Sequence, residues 1–150
     1  AADMGQTVAD GIADAGGKAL FLTQDVTDEV RWAEVVRETL ARFGRLDVLV
    51  NSAGLNVRER NWKHLSTAGW DQVLRIDLDG TFYCCHAVLP MMRQQGGGLI
   101  INVSSWAGKH VGAVTGPAYS AAKFGVNAMT ESLNIEEGLH GIVECQGGPD

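Results

Sequence analysis

Cysteine, basic charge and long apolar runs are all scarce in this chain, and each scarcity excludes something. The 150 residues include three cysteines, and two of them, Cys84 and Cys85, are adjacent. That arrangement gives neither a disulfide framework nor a metal-ligand spacing, and the pair reads as small packing residues of a helix. Lysine and arginine number 12 against 18 aspartates and glutamates, for a net charge of −6. Such a balance excludes the basic footprint of a nucleic-acid binder. The longest apolar runs are strand-sized, far short of a membrane span. Ala1-Ala2-Asp3 does not open a basic stretch leading into an apolar one, so the expectation is a cytoplasmic protein in a reducing compartment. His64, His86, His110 and His140 show no metal-ligand spacing; His110 reads either as a substrate contact or as a solvated loop residue.

What is present fits one globular domain with a real core, at 45% hydrophobic and 20% charged residues. The most informative stretch runs from Leu99 to Asn127. Leu99-Ile100-Ile101-Asn102-Val103 reads as a strand buried on both faces, and it ends in Ser104 and Ser105. A loop rich in small residues follows, and Pro117 opens a helix where its missing N–H costs nothing. Tyr119 and Lys123 stand i, i+4 in that helix, on one face about one turn apart. A tyrosine hydroxyl ionises near pH 10, so exchanging its proton at neutrality requires about 4 kcal/mol of help to the phenolate. An ammonium about 4 Å away supplies on the order of 4 kcal/mol at an effective dielectric of about 20, before desolvation is subtracted. Ser105 is placed to hold a carbonyl or hydroxyl by a hydrogen bond. Taken alone, Tyr-x-x-x-Lys also fits an ordinary surface helix.

The rest of the chain organises around that stretch. Positions 4, 8, 12 and 15 are apolar at helical spacing, and Gly16-Gly17 ends that helix. Ala19 to Thr23 is expected as a strand, with Asp25-Val26-Thr27-Asp28 at its carboxyl end. Thr27 or Asp28 caps a helix that runs to about Phe43 and stops at Gly44. Leu46 to Val50 is expected as the next buried strand, with Asn51 just past its end. This alternation predicts a parallel sheet with helices on both faces, and ligands bind such sheets beyond the carboxyl ends of the strands. Asp25, Asn51 and Ser105 all lie there. Ala53-Gly54 either lets a ligand approach the backbone closely or marks a plain turn. After a polar loop over 55–64, Ser66 begins a long helical stretch to about Gln95, interrupted near Asp77-Leu78-Asp79-Gly80, where the glycine weakens the helix. Gly96-Gly97-Gly98 closes it, and the helix from Pro117 runs to about Glu137. Ala121, Ala122, Gly125 and Ala128 allow that helix to pack closely on a second subunit or on its own sheet.

Asn102-Val103-Ser104-Ser105, followed by Tyr119-Ser120-Ala121-Ala122-Lys123, resembles the catalytic region of the short-chain dehydrogenase/reductase family. Asn51-Ser52-Ala53-Gly54 resembles that family's Asn-Asn-Ala-Gly segment, and Asp25-Val26 resembles its adenine-contacting pair. The resemblance runs from about residue 3 to residue 142. It implies a three-layer, doubly wound, Rossmann-like parallel α/β fold that binds NAD or NADP. It implies that Tyr119 is the general acid/base, that Lys123 assists its ionisation and holds the ribose, and that Ser105 positions the substrate oxygen. Asp25, Val26, Asn51, Ala53 and Gly54, with Tyr119 and Lys123, are the implied cofactor contacts. The implied substrate is a small-molecule alcohol or ketone, and the implied full-length assembly is a homodimer or homotetramer.

Three departures qualify the resemblance. The family carries an asparagine in a helix kink, whose backbone carbonyl holds a water linked to the lysine; Asp77 stands there instead. The expectation is that the Asp77 carbonyl serves any relay, and that a buried, charged carboxylate there needs a cation or a water chain. The family's Thr-Gly-x-x-x-Gly-x-Gly turn does not occur, and Val143 to Asp150 match its substrate-covering segment poorly, with Pro149 as the echo. Residues 1–150 are therefore expected to form a partial, incomplete Rossmann-type domain. A catalytically silent chain that associates through its helices, and a relative with epimerase or dehydratase chemistry, fit the same residues.

Overall fold

The computed structural model describes residues 2–147, so Pro149 lies outside it. Helix α1 (Ala2–Asp14) is followed by α2 (Glu29–Phe43), strand β1 (Val48–Asn51) and α3 (Thr67–Leu74). A single π turn, Arg75–Asp79, joins α3 to α4 (Gly80–Gln95). Strand β2 (Gly98–Val103), a 3-10 turn (Trp106–Gly108), α5 (Pro117–Glu137) and β3 (Ile142–Gly147) complete the order. The strands form a parallel sheet in the order β1-β2-β3, with Val48 beside Leu99 and Asn51 beside Asn102. Strand β3 forms from the segment whose sequence departs from the family, pairing Gly98 with Ile142 and Val103 with Gly147.

Local chemistry accounts for the element ends. Asp28 caps α2, its side chain accepting the Arg31 N–H, and Gly44 closes the helix at φ 83°. Ser66 caps α3 through the Gly69 N–H, and Gly96 closes α4 at φ 86°. Pro117 occupies the first turn of α5.

Two expectations change, and one element is more exposed than its neighbours. Residues 19–23 form no strand, because a strand needs a ladder partner and none of the described residues pairs with them. The next strand is Val48–Asn51 rather than Leu46–Val50, because Leu46 is drawn into the core while Asn51 pairs with Asn102. The apolar stripe of α1 exists but is not buried, with Met4 75% and Val8 63% exposed; the helix meets the 19–23 segment where Gly5 abuts the Phe21 ring.

One face of the sheet carries the core. Leu49, Asn51, Ile100 and Asn102 point to it, with Cys85, Val88, Leu89 and Met92 of α4 packed above. Met92 and Ile100 are fully buried. Each such side chain contributes about 1.5–3 kcal/mol of burial. Cys84 and Cys85 are core packing residues, and burial pushes the Cys84 thiol up to about 12. A second cluster, Val73, Ala118 and Ala122, joins α3 to α5, with Tyr119 and Leu78 against it. Within α5 the small residues divide: Ala122 is buried and Gly125 abuts Leu78, while Ala121 and Ala128 face outward. On the opposite face of the sheet Val50 is 55% exposed.

Candidate active site

The π turn, α5 and the carboxyl ends of β1 and β2 meet around Lys123. One helical turn separates Tyr119 from Lys123 along α5, and the ammonium lies 5.5 Å from the Tyr119 ring centroid. Lys123 is buried, with its Nζ donating to the Val103 carbonyl at 3.2 Å. Its second polar neighbour is Asp77 Oδ2 at 3.7 Å, an ion pair without a hydrogen bond. Asp77 is fully buried in the π turn, a distortion that often accompanies functional sites. Its Oδ1 accepts the Leu55 N–H at 2.8 Å, while Oδ2 has no hydrogen-bond partner. Its backbone carbonyl accepts the Thr81 hydroxyl at 2.9 Å. Burial raises the Asp77 carboxyl above its ordinary range, with the Leu55 N–H and the Lys123 ammonium pulling the other way. The cation that a buried carboxylate needs at this position is thus Lys123.

The two serines at the end of β2 separate into different roles. Ser104 donates to Asn127 Oδ1 at 2.5 Å and is tied to α5. Ser105 is extended, and its Oγ accepts the Ala107 N–H at 3.2 Å, capping the 3-10 turn. That bond uses the oxygen as acceptor, so the hydroxyl proton is left to donate. Just beyond, Trp106 and His110 pack ring on ring at 5.0 Å.

The segment after β1 forms a second part of the site. Val26, Asn51 and Ala53 surround a cavity of about 90 Å³, together with Trp32, Gly80 and Thr81. The Asn51 side chain points inward, its amide donating to Asn102 Oδ1 at 2.8 Å and to Cys85 Sγ at 3.3 Å. Those two bonds turn its amide NH₂ toward the core. Asp25 is exposed and accepts the Thr27 N–H and hydroxyl at 2.9 and 2.8 Å, which hold its carboxyl below the ordinary range. Gly54 meets the first part of the site, since a Cβ there would lie 3.1 Å from Asp77 Oδ2 and 3.4 Å from Lys123 Nζ.

Sequence reasoning missed Trp32, whose Nε1 fixes the Val26 carbonyl at 3.1 Å, and the Leu55 N–H on Asp77. It also missed Asn102, which links Asn51 to the Thr130 hydroxyl at 3.0 Å. A lone amide inside an apolar strand was the available signal, because a buried amide must find partners. A groove of about 860 Å³, lined by Trp62, Val111, Ala121 and Phe124 among others, opens on the face of α5 turned away from Tyr119 and Lys123. Among the described residues no group of acids, histidines and cysteines is built to hold a metal, and no helix is long and apolar enough to cross a membrane.

Comparison with known proteins gives the chain's family and fold. The family model of the short chain dehydrogenases matches residues 1–146, beyond the reach expected from the sequence motifs. The cis-4-hydroxycyclohexanecarboxylate dehydrogenase of Sinomonas cyclohexanicum is 41% identical over 135 residues, covering 90% of this chain and 54% of its own. The L-fucose dehydrogenase of Mus musculus is 38% identical over 88% of this chain and 51% of its own. The chain therefore spans about half the length of these relatives. Among solved structures, a 3-ketoacyl-ACP reductase from Sinorhizobium meliloti superposes with a TM-score of 0.94 at 35% identity, over 99% of this chain and 59% of that one. A metagenomic short-chain oxidoreductase solved in complex with NADP superposes at 0.91 with 31% identity, over 100% of this chain and 67% of that one.

Proposed function

The chain belongs to the short-chain dehydrogenase family, and from that premise we propose that the protein is an NAD(P)-dependent oxidoreductase that interconverts a secondary alcohol and a ketone. Residues 1–150 are then part of one Rossmann-type domain. The observation that carries the reading is the buried Lys123 ammonium one turn from Tyr119, with Ser105 at the adjoining strand end.

In this reading Tyr119 holds the exchangeable proton at its phenolic oxygen. It donates that proton to a ketone oxygen in reduction and takes it from the alcohol in oxidation. Lys123 stabilises the phenolate, and its burial strengthens that interaction by excluding water. Ser105 donates its free hydroxyl proton to the same substrate oxygen and so orients the carbonyl. The residues present fit a dinucleotide at its two ends: exposed Ala53 and Gly54 leave the backbone bare near Lys123, and Val26 and Asn51 border the cavity at the end of β1. Asp25 and Val26 would hold the adenine side, and Asn51, Ala53, Gly54, Tyr119 and Lys123 the nicotinamide ribose side. When bound, NAD or NADP accepts or supplies the hydride.

The test is hydride transfer by the protein with both cofactors and a panel of alcohols that includes 4-hydroxycyclohexanecarboxylate and L-fucose, substrates named for its relatives. Tyr119→Phe should lower turnover by roughly 10²–10⁴-fold, the share of positioned acid–base catalysis. Turnover within a few-fold of wild type would sink the assignment.

A further inference from the structure

Two donors converge on the Asp77 side chain from different parts of the chain. The Leu55 N–H approaches Oδ1 at 2.8 Å from the segment after β1, and the Lys123 ammonium approaches Oδ2 at 3.7 Å from α5. Neither donor can act as an acceptor. A carboxylate presents an acceptor to each, whereas an amide in the same place must turn its NH₂ toward one of them. The side chain has no room to reorient: it is fully buried, and Gly54 abuts Oδ2 so closely that a Cβ there would sit at 3.1 Å. Asp77 itself is anchored by the Thr81 hydroxyl on its carbonyl. The ammonium's hydrogen bond goes to the Val103 carbonyl, and Asp77 adds the ion pair on its other side.

We propose that the Asp77 carboxylate is a positioning group, which holds the Lys123 ammonium and the Gly54–Leu55 backbone in one arrangement and thereby places Lys123 for Tyr119. The proposal rests on reading Tyr119 and Lys123 as the acid–base pair. It assigns to the side chain a role that the sequence pattern left to the carbonyl. The geometry makes the carboxylate, rather than any small polar residue, the group this particular site requires. An ion pair taken out of water also leaves a stranded charge when one partner is removed, so the two residues should depend on each other.

The experiment compares wild type with Asp77→Asn and Gly54→Ala. Asp77→Asn exchanges one acceptor for a donor; Gly54→Ala intrudes on the pair without changing a charge. In each, kcat per folded molecule should fall roughly tenfold or more with a larger solvent deuterium isotope effect on kcat, because proton transfer becomes the slow step, and in Asp77→Asn both KM values should stay within about threefold. An unchanged kcat and isotope effect in Asp77→Asn overturns the proposal, and so does a fall in folded fraction alone. Should Asp77→Asn not fold, Gly54→Ala decides by the same readouts. Unfolding of Asp77→Asn, Lys123→Met and the double variant supplies a measurement independent of turnover. Coupling between the two substitutions supports the tie, and additive effects overturn it. If the wild type transfers no hydride, the proposed function fails, and the unfolding cycle still judges the tie between residues 77 and 123.

Discussion

Adding one methyl group at Gly80 sets two effects of known size against each other. Gly80 opens α4 with φ −59° and ψ −40°, ordinary helical backbone. Alanine at such a position is favoured over glycine by about 0.5–1 kcal/mol, because glycine loses more chain entropy on folding. Against this, a Cβ at Gly80 would lie 2.8 Å from Val26 Cγ2, 3.0 Å from Val26 Cβ and 3.3 Å from the Val26 carbonyl oxygen. Val26 has little freedom to withdraw. Its carbonyl is held by Trp32 Nε1, and the Asp25 carboxylate pins the following turn through Thr27. Overpacking of this kind costs about 1–3 kcal/mol. The clash wins, and Gly80→Ala should destabilise the protein by about 1–2 kcal/mol. For a chain of this size that lowers Tm by roughly 3–7 °C.

The assay is thermal unfolding of wild type, Gly80→Ala, Val26→Ala and the double variant. Removing the Val26 methyls deletes the shortest contact but leaves the Cβ, so alanine at 80 should cost at least about 0.5 kcal/mol less in that background. A higher Tm for Gly80→Ala would refute the reasoning, since helix propensity would then have outweighed packing. Additivity of the two substitutions would refute it as well. A functional consequence follows from the same contact. Val26 borders the cavity at the end of β1, so displacing it should weaken NADH and NADPH binding if the proposed function holds.

Two further outcomes test the core. Arg93 forks onto the nearly buried Glu137 carboxylate, its Nε donating to Oε2 at 2.8 Å, and this holds the Glu137 carboxyl below its ordinary range. A depressed carboxyl contributes stability that is present above the unfolded value of about 4.3 and lost as pH falls through the folded value, so urea unfolding followed from pH 7 downward should show an acid step that Glu137→Gln lacks; the same acid slope in both proteins would contradict it. Asn102→Leu removes the acceptor of the Asn51 amide and the donor to Thr130, and should cost about 1–3 kcal/mol for each buried group left without a good partner, read as a lower denaturant midpoint at unchanged m.

What could be read from the sequence was what local chemistry decides. Pro117, Asp28, Ser66 and the left-handed glycines at 44 and 96 each mark an element end through the residue's own dihedral or hydrogen-bonding preference, and the structure places the ends there. What could not be read depends on which segments lie side by side. Residues 19–23 have the composition of a strand and none of the described residues to pair with, whereas 142–147, with a weaker motif, pair with β2 and become one. The same distinction runs through the site. The i, i+4 spacing of Tyr119 and Lys123 is local and was legible. That Asn51 spends its amide on Asn102 follows from the β1–β2 register, which sets the two side by side. Gly80 and Gly54 look alike in sequence, as weak points in a helix and a loop. In the folded chain each is a contact that excludes a side chain, Gly80 beneath Val26 and Gly54 beneath the Asp77–Lys123 pair. The chemistry of a buried carboxylate called for a cation or a water chain at Asp77, and that requirement was visible before any fold. Which cation answers it is decided by where the π turn and α5 meet, and the answer, Lys123, joins the most unusual residue of the motif to the proposed acid–base pair.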